Sequence, residues 1–277
     1  VRSEVAIVLD WESWWALELP SKPSTRIKQV EMLEDFYRPL FAANVVPDFV
    51  RPDHDLSGYK LLLVPNLYLV SDEGAANITE FVRGGGTLVM SFFSGIVDPF
   101  EHIRLGGYPA PFRRLLGVNV VDWLPLSDGD EVGLEFGDRV PGRADRWSEI
   151  IELAGAEAIA TFASGRLAGK PAITRNKFGD GLAIYSATRL DEVTMARVVR
   201  SALADSEIEA AMDVPSGVEV VRRHIGNRSI LFLLNHRDVD VDVPITQAGE
   251  NLVDGAQVHA GLLRIGPYGA AIIREGW

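Results

Sequence analysis

The residue types best suited to chemistry are concentrated near the start of the chain, in VLDWESWWALELP (residues 8–20). Asp10 and Glu12 stand two positions apart there, and two carboxyl groups separated by about 5 to 10 Å can act together as acid, base or nucleophile. Three tryptophans accompany these acids, at positions 11, 14 and 15. Tryptophan is enriched at the energetic centres of protein interfaces. The stretch therefore suggests either an acid pair or a contact surface.

The position of the stretch favours a contact surface. It follows an apolar run that ends at Asp10, and in an open α/β sheet the loop after the first strand lies at the edge where ligands and partners bind. We predict that Trp11, Glu12, Trp14 and Trp15 lie on such a loop and contact another surface. A stacking floor for sugars and an internal aromatic core are the alternatives. The acids are expected to accept hydrogen bonds from indoles or to pair with arginines.

Ser94 is a second candidate, because it lies in FFSGIVD directly after a predicted strand. A nucleophile elbow has the pattern G-x-S-x-G, and only Gly95 is present here. None of the five histidines stands at a diagnostic spacing from Ser94 and an acid. We therefore predict a structural turn at Ser94 rather than a nucleophile.

Metal and nucleotide sites have weaker support. Asp53, His54 and Asp55 are adjacent, but consecutive side chains point in different directions and no H-x-x-x-H pair is present. No G-x-G-x-x-G loop joins a strand to a helix, and Gly84–Gly86 follows a predicted helix. We predict a solvated loop at residues 53–55 and a helix stop at Gly84–Gly86. We expect no metal or cofactor.

Composition excludes several classes of protein. The 277-residue chain has a net charge of −12 with dispersed lysines and arginines, which argues against nucleic-acid binding. No run of 18 apolar residues is present, so no membrane span is expected. Cysteine is absent, which excludes thiolate chemistry and fits a cytoplasmic location. Because the chain starts at Val1 and enters a strand-like run at once, we expect it to continue a longer chain.

The first part of the sequence predicts an open, doubly wound, mostly parallel sheet of the Rossmann or flavodoxin type. Apolar runs bounded by turn residues are typical of buried parallel strands, and helical patterns lie between them. The predicted strands are EVAIVLD (4–10), VVPDFV (45–50), KLLLVPN (60–66) and GTLVMSFF (86–93), and the predicted helices span Thr25–Ala43 and Ser71–Arg83.

The rest of the sequence predicts more strands. Residues 118–175 read as strands added at the sheet edge, followed by a late strand and helix from residue 181. After Val214-Pro215 only strand patterns occur, with Val239, Val241 and Val243 expected on one face. We predict an α/β domain over residues 1–212 and a small antiparallel β domain over residues 213–277.

Four segments together resemble a known family. They are VLDWESWWALE (8–18), SFFSGIVDPFEHIRLGGYPAPFRRLLGV (91–118), GKPAITRNKFGDGLAIYSATRLD (169–191) and LFLLNHRD (231–238). In this order they resemble the C-terminal portion of the β-galactosidases of glycoside hydrolase family 42. The resemblance extends over nearly the whole chain.

The resemblance implies a trimerisation domain with a glutamine-amidotransferase-like fold, followed by a small β domain. In the family both lie after a catalytic TIM barrel that carries the two catalytic glutamates. A chain of this length has no room for that barrel, so no residue is expected to inherit a catalytic role and the chain alone is expected to be inactive. The cysteine of the amidotransferases is also absent.

The resemblance further implies a homotrimer, in which this region holds the subunits together and shapes the mouth of the active site. The expected partners are the upstream barrel, neighbouring subunits and the galactoside substrate of the longer protein. We hypothesise that the tryptophans, with Phe93, Tyr108 and Phe112 from the second matching segment, form the surface that meets a barrel. The alternatives are a galactoside-binding module and an independent amidotransferase-like hydrolase that uses Ser94.

Overall fold

The structure is a computed structural model that describes residues 3–226 and 228–276. Contacts within the chain divide it into two compact units. The larger unit contains residues 3–39 and 47–208, and the smaller contains residues 40–46 and those from 209 onward. Within the described ranges, no helix is long and apolar enough to cross a membrane.

One mixed sheet of eleven strands forms the centre of the larger unit. In chain order its strands are β1 (Val5–Val8), β2 (Asp48–Val50), β3 (Leu61–Val64), β4 (Thr87–Ser91), β5 (Val118–Pro125), β6 (Glu131–Phe136), β7 (Pro141–Leu153), β8 (Glu157–Phe162), β9 (Pro171–Phe178), β10 (Gly181–Ser186) and β11 (Thr188–Leu190).

The parallel part of this sheet has the order β2-β1-β3-β4-β10. Every residue of β1, β3 and β4 is buried, as expected for strands covered on both faces. Strands β9, β8, β6 and β7 extend the sheet by antiparallel pairing, and β7 also pairs with β5 and β11. The predicted α/β sheet with strands added at its edge is confirmed.

The helices of the chain lie between these strands. They are α1 (Trp11–Leu17), α2 (Gln29–Ala42), α3 (Asp72–Arg83), α4 (Arg113–Leu116) and α5 (Glu192–Asp205), with single 3-10 turns at Ala110–Phe112 and Gly165–Leu167. Helix α3 has the predicted bounds: the Ser71 side chain accepts a hydrogen bond of 3.0 Å from the Gly74 backbone N, and the helix ends at Gly84.

Two local predictions were wrong. The stretch after β1 forms helix α1 instead of a loop, because the Asp10 side chain caps its first turn. Helix α2 begins at Gln29 rather than near Thr25. The Glu18 carboxylate accepts a hydrogen bond of 3.0 Å from the Gln29 backbone N, so a residue distant in sequence supplies the acceptor that the first turn of the helix needs.

The smaller unit is built from strands, as predicted. They are β12 (Val218–Ile225), β13 (Arg228–Asn235), β14 (Val241–Ile245), β15 (Gly249–Asn251), β16 (Gln257–Val258), β17 (Gly261–Ile265) and β18 (Ala270–Glu275). They form a five-stranded sheet of order β12-β13-β18-β15-β16 and a two-stranded β14-β17 sheet. Val241 and Val243 are buried on one face of β14, but Val239 lies before the strand and is exposed.

Candidate functional site

Helix α1 begins at the carboxyl end of the central strand β1, and its first turn is fixed by Asp10. The buried Asp10 carboxylate accepts a hydrogen bond of 2.8 Å from the Ser13 backbone N. An aspartate at this position satisfies an N–H group that has no acceptor within the helix, and Glu12 adds favourable negative charge in the first turn. Because Asp10 is committed to the cap, an acid pair of Asp10 and Glu12 has no support.

The helical period directs the tryptophans outward. Ser13, Ala16 and Leu17 form the buried face of α1. Trp11 and Trp15 are 51% and 66% exposed, and Trp14 is half-buried. The rings of Trp11 and Trp14 stack, with centroids 5.1 Å apart and an interplanar angle of 12°. The helix therefore presents a rigid aromatic surface to the outside of the unit.

Glu18 holds the end of this helix in place. The Trp14 indole Nε1 donates a hydrogen bond of 2.9 Å to Glu18 Oε1, and the same carboxylate also accepts from the Gln29 backbone N and from Lys28 Nζ. The hydrogen bond from an indole that we expected at Asp10 or Glu12 is made instead by Glu18. It couples the orientation of Trp14 to the start of α2.

An aromatic cluster packs in the same core as the buried face of α1. Phe93 is at its centre, with ring centroids 5.1 Å from Tyr68, 5.2 Å from Trp123 and 4.7 Å from Trp147. Phe93 and Trp147 are buried. Packing within this cluster stabilises the chain at the carboxyl ends of the central strands.

The three aromatic residues predicted to join the tryptophan surface have different environments. Phe93 and Phe112 are fully buried within the larger unit, so neither is part of the exposed surface. Phe93 packs in the same core cluster as α1, whereas Phe112 belongs to a different core cluster. Tyr108 is half-buried and packs against Trp123 with ring centroids 4.9 Å apart. Of the six aromatic residues predicted to form the surface, Trp11 and Trp15 are exposed, and Trp14 and Tyr108 are partly exposed.

Glu149 is a fully buried acid beside the aromatic cluster, and no sequence motif indicates it. Its carboxylate accepts hydrogen bonds from the Phe93 backbone N (3.0 Å), the Trp147 indole Nε1 (3.3 Å) and the Tyr185 hydroxyl (2.5 Å). Burial raises the pKa of Glu149 to about 7, although these three donors favour the charged form. Glu149 thereby joins the turn after β4 to strands β7 and β10.

The turn after β4 has the shape of an elbow but carries no nucleophile. Phe93 and Gly95 both have positive φ, 55° and 63°, which reverses the chain sharply. The Ser94 Oγ is fully buried, accepts from the Leu67 backbone N (3.1 Å) and donates to the Ser91 carbonyl O (2.8 Å). Ser94 is a structural residue of the turn, as predicted, and a hydrolase that uses Ser94 is not favoured.

The acidic loop near His54 is also structural. The Arg51 guanidinium holds Asp53 through two hydrogen bonds, of 3.0 and 3.1 Å, and Asp55 accepts from the Ser57 backbone N. Across residues 3–226 and 228–276, no group of three or more His, Cys, Asp or Glu side chains is arranged to hold a metal ion.

Two family models match almost the entire chain. The model described as the β-galactosidase trimerisation domain matches residues 3–209, and the model described as the β-galactosidase C-terminal domain matches residues 217–275.

Relatives with similar sequences are named β-galactosidases. The β-galactosidase BgaB of Geobacillus sp. (strain Y412MC61) is 39% identical over 99% of this chain and 41% of its own length. A β-galactosidase of an Arthrobacter species is 44% identical over 85% of this chain and 34% of its own length. The chain thus spans about two fifths of the length of the curated relatives it matches.

Solved structures agree with the sequence comparison. The crystal structure of the β-galactosidase from Bacillus circulans sp. alkalophilus superposes with a TM-score of 0.95 at 29% identity, over 99% of this chain and 41% of that one. The cold-adapted enzyme from Rahnella sp. R3 gives a TM-score of 0.90 at 31% identity, over 99% and 41%.

Proposed function

Since this chain belongs to the β-galactosidases of glycoside hydrolase family 42, whose trimerisation and C-terminal domains it comprises, we propose that it is the assembly region of a longer, trimeric enzyme that hydrolyses terminal β-galactosides. The glycosidic bond of the substrate is hydrolysed in a catalytic domain outside this chain. The region described here holds the subunits together and shapes the mouth of the active site. The trimerisation domain spans residues 1–212 and the small β domain spans residues 213–277. We further propose a cytoplasmic location, which the absence of cysteine fits.

The exposed indoles of α1 are the observation that carries this proposal. A helix that leaves Trp11 and Trp15 more than half exposed places a large apolar area in water, at a cost of about 25 cal/mol for each Å². The Trp14 indole is restrained by its hydrogen bond to Glu18 and by the stacked ring of Trp11, so these two rings have less conformational entropy to lose on binding. We propose that Trp11, Trp14 and Trp15, with Glu12 at the rim, pack against the catalytic domain of the same or a neighbouring subunit.

The proposal is tested on the natural gene product that contains this chain. Light scattering should give a trimer, and the protein should hydrolyse a chromogenic β-galactoside, whereas the 277-residue chain alone should not. Trp11→Ala with Trp15→Ala should weaken assembly and reduce activity at low protein concentration. Phe49→Ala is the matched control, because Phe49 is an aromatic residue of similar exposure, 52%, on the edge strand β2.

Two results would contradict the proposal. One is hydrolysis of the galactoside by the isolated chain. The other is a double tryptophan variant that remains trimeric and fully active at every concentration at which the parent protein does.

A further inference from the structure

The loop between helices α1 and α2, residues 19–28, closes on the end of α1, the tryptophan helix. We call this loop the strap. Glu18 Oε1 accepts hydrogen bonds both from the Trp14 indole Nε1 (2.9 Å) and from the Gln29 backbone N (3.0 Å). The residues at the two ends of the strap are therefore joined, and compact surface loops of this length with adjacent ends are frequently functional.

The strap has few of the contacts that stabilise the rest of the larger unit. It contains no helix or strand, and Ile27 is the one buried side chain among the described residues 19–28. Over the same ten residues, only the Leu19 backbone N donates to a backbone carbonyl, the Ala16 O at 3.4 Å. Segments with few buried apolar contacts open locally at a low cost in free energy.

Charged side chains hold the strap in place instead. It contains three basic residues and no acid, whereas the whole chain has a net charge of −12. Arg26 Nε lies 2.7 Å from Asp128 Oδ1, and Arg26 Nη1 donates to the Leu126 carbonyl O (2.8 Å). Arg146 Nη1 donates to the Arg26 carbonyl O at 3.5 Å. The Arg26 and Asp128 side chains are 32% and 89% exposed, and an ion pair so exposed contributes little and is weakened by salt.

Lys22 and Ile27 connect the strap to the aromatic cluster. Lys22 Nζ donates to the Tyr68 hydroxyl (2.9 Å) and lies 4.1 Å from the centre of the Tyr68 ring. Ile27 packs in the same core as Tyr68, which is only 6% exposed. Opening of the strap removes both contacts, so it should increase the exposure of Tyr68 to solvent.

Lys28 and Gln29 connect the closed strap to Trp14. Lys28 Nζ lies 3.4 Å from Glu18 Oε2, and the Gln29 backbone N donates to Glu18 Oε1. These two donors restrict the Glu18 side chain, which in turn accepts the hydrogen bond from the Trp14 indole. Because Lys28 belongs to the strap and Gln29 directly follows it, opening of the strap loosens Glu18 and with it the indole.

We propose that the strap opens by local unfolding while the rest of the larger unit stays folded, and that its closure on Glu18 fixes the orientation of the Trp14 indole. The closed strap keeps the tryptophan surface in the form that binds its partner, and the open strap releases it. The inference deepens the proposed function and rests on it for the role of that surface, whereas the opening itself is a property of this chain.

The first test removes two of the charged contacts in the natural gene product. In Arg26→Gln with Lys28→Gln, the rate of hydroxyl-radical oxidation of Tyr68, read by mass spectrometry, should rise by roughly tenfold, because each lost ion pair shifts the opening equilibrium by a few-fold. The oxidation rate of Trp14 should also rise. Tyr185, which is 1% exposed and has no contact with the strap, reports global unfolding and should keep its rate.

Arg38→Gln with Lys60→Gln is the matched control. Each substitution removes an exposed ion pair outside the strap, with Glu34 and with Glu4, so the oxidation rates should stay at the parent values. An unchanged rate at Tyr68 in the strap variant overturns the inference. A rise at Tyr68 without one at Trp14 overturns the link to the tryptophan surface, and a parallel rise at Tyr185 shows that the strap does not open alone.

The second test needs no variant, so it holds even if the substituted protein fails to fold. Raising the NaCl concentration from about 0.05 to about 1 M screens the charged contacts, so Tyr68 of the unaltered gene product should be oxidised faster while Tyr185 is not. Sedimentation velocity at both salt concentrations verifies that the state of assembly is the same. A rate at Tyr68 that does not respond to salt overturns the inference.

The two proposals fail separately. A trimeric gene product that hydrolyses β-galactosides, but whose Tyr68 responds neither to the strap substitutions nor to salt, overturns the inference alone. A gene product that is neither trimeric nor active on β-galactosides overturns the proposed function, and the oxidation rates of Tyr68 and Trp14 still decide whether the strap opens and releases the indole.

Discussion

The carboxylate of Glu149 accepts a hydrogen bond of 2.5 Å from the hydroxyl of Tyr185, and both side chains are fully buried in the larger unit. The pair joins strands β7 and β10 behind the turn that carries Phe93. A carboxyl group that is fully buried is costly to ionise, since burial disfavours the charged form. The edge of the sheet that supports the tryptophan helix therefore contains a group that titrates near neutral pH.

Glu149 should make the stability of the larger unit depend on pH. Its folded pKa of about 7 lies above its ordinary value of 4.5, so the folded state binds the proton more tightly than the unfolded state. The stabilisation from the protonated group is complete below pH 4.5 and is lost as the pH rises through 7, by on the order of 3 kcal/mol. Urea unfolding at pH 5, 6, 7 and 8 measures this loss.

Glu149→Gln should flatten that pH dependence, because glutamine keeps an acceptor for the Phe93 N–H and has no charge to bury. Glu12→Gln, on the exposed side of α1, is the control and should leave the profile unchanged. A Glu149→Gln protein that retains the parent slope between pH 5 and 8 would show that another group causes it.

Tyr185→Phe should destabilise the protein, since it removes the hydroxyl that donates to Glu149 and preserves the ring. A buried acceptor left without its donor costs about 1 to 3 kcal/mol. The pKa of Glu149 should rise further, because a donor that favours the charged form is gone. The loss of stability should thus be larger at pH 8 than at pH 5, and equal losses at both would contradict this account.

Asp10→Ala should loosen the tryptophan helix, because the Ser13 N–H loses its acceptor. The expected cost is about 1 kcal/mol of unfolding free energy. Asp10→Asn retains an oxygen acceptor and should recover most of it. Tryptophan fluorescence should move to longer wavelength in the alanine variant if the indoles become more hydrated, and identical spectra and stabilities for both variants would argue against a capping role.

Arg189 is expected to be a stabilising charge of the larger unit. Its guanidinium binds Asp35 (2.8 and 3.0 Å) and Asp145 (2.8 and 3.0 Å). Arg189→Met would leave two acids side by side, at a cost of about 3 kcal/mol at pH 7. Burial already raises the pKa of Asp35 against the effect of Arg189, so the variant should regain part of its stability as the pH falls to 5.

Arg38→Met is the control for Arg189, because Arg38 pairs with Glu34 on the exposed face of α2. Exposed pairs of this kind contribute less than about 1 kcal/mol. Thermal or urea unfolding of both variants at pH 7 and pH 5 measures how much unfolding free energy each substitution removes. Equal and small losses for the two arginines would show that the buried contacts of Arg189 do not stabilise the fold.

The sequence alone determined the class of fold and the family. Continuous apolar runs such as Leu61–Val64 that are bounded by turn residues are typical of strands covered on both faces, and Ser71 and Gly84 set the bounds of a helix through contacts within a few residues. The four matching segments indicated the family that the comparisons then showed. These features depend on local chemistry, so they can be read in order along the chain.

Which side chains form a surface depends on contacts between segments that are distant in sequence. Phe93 and Trp15 are both large aromatics after an apolar strand, yet the first is buried and the second is exposed, because other strands and turns cover one position and leave the other open. Glu149 lies in a strand with no recognisable motif, and its partners Phe93 and Tyr185 are 56 and 36 positions away. Periodicity shows which residues share a face, but burial depends on what the rest of the chain brings against that face.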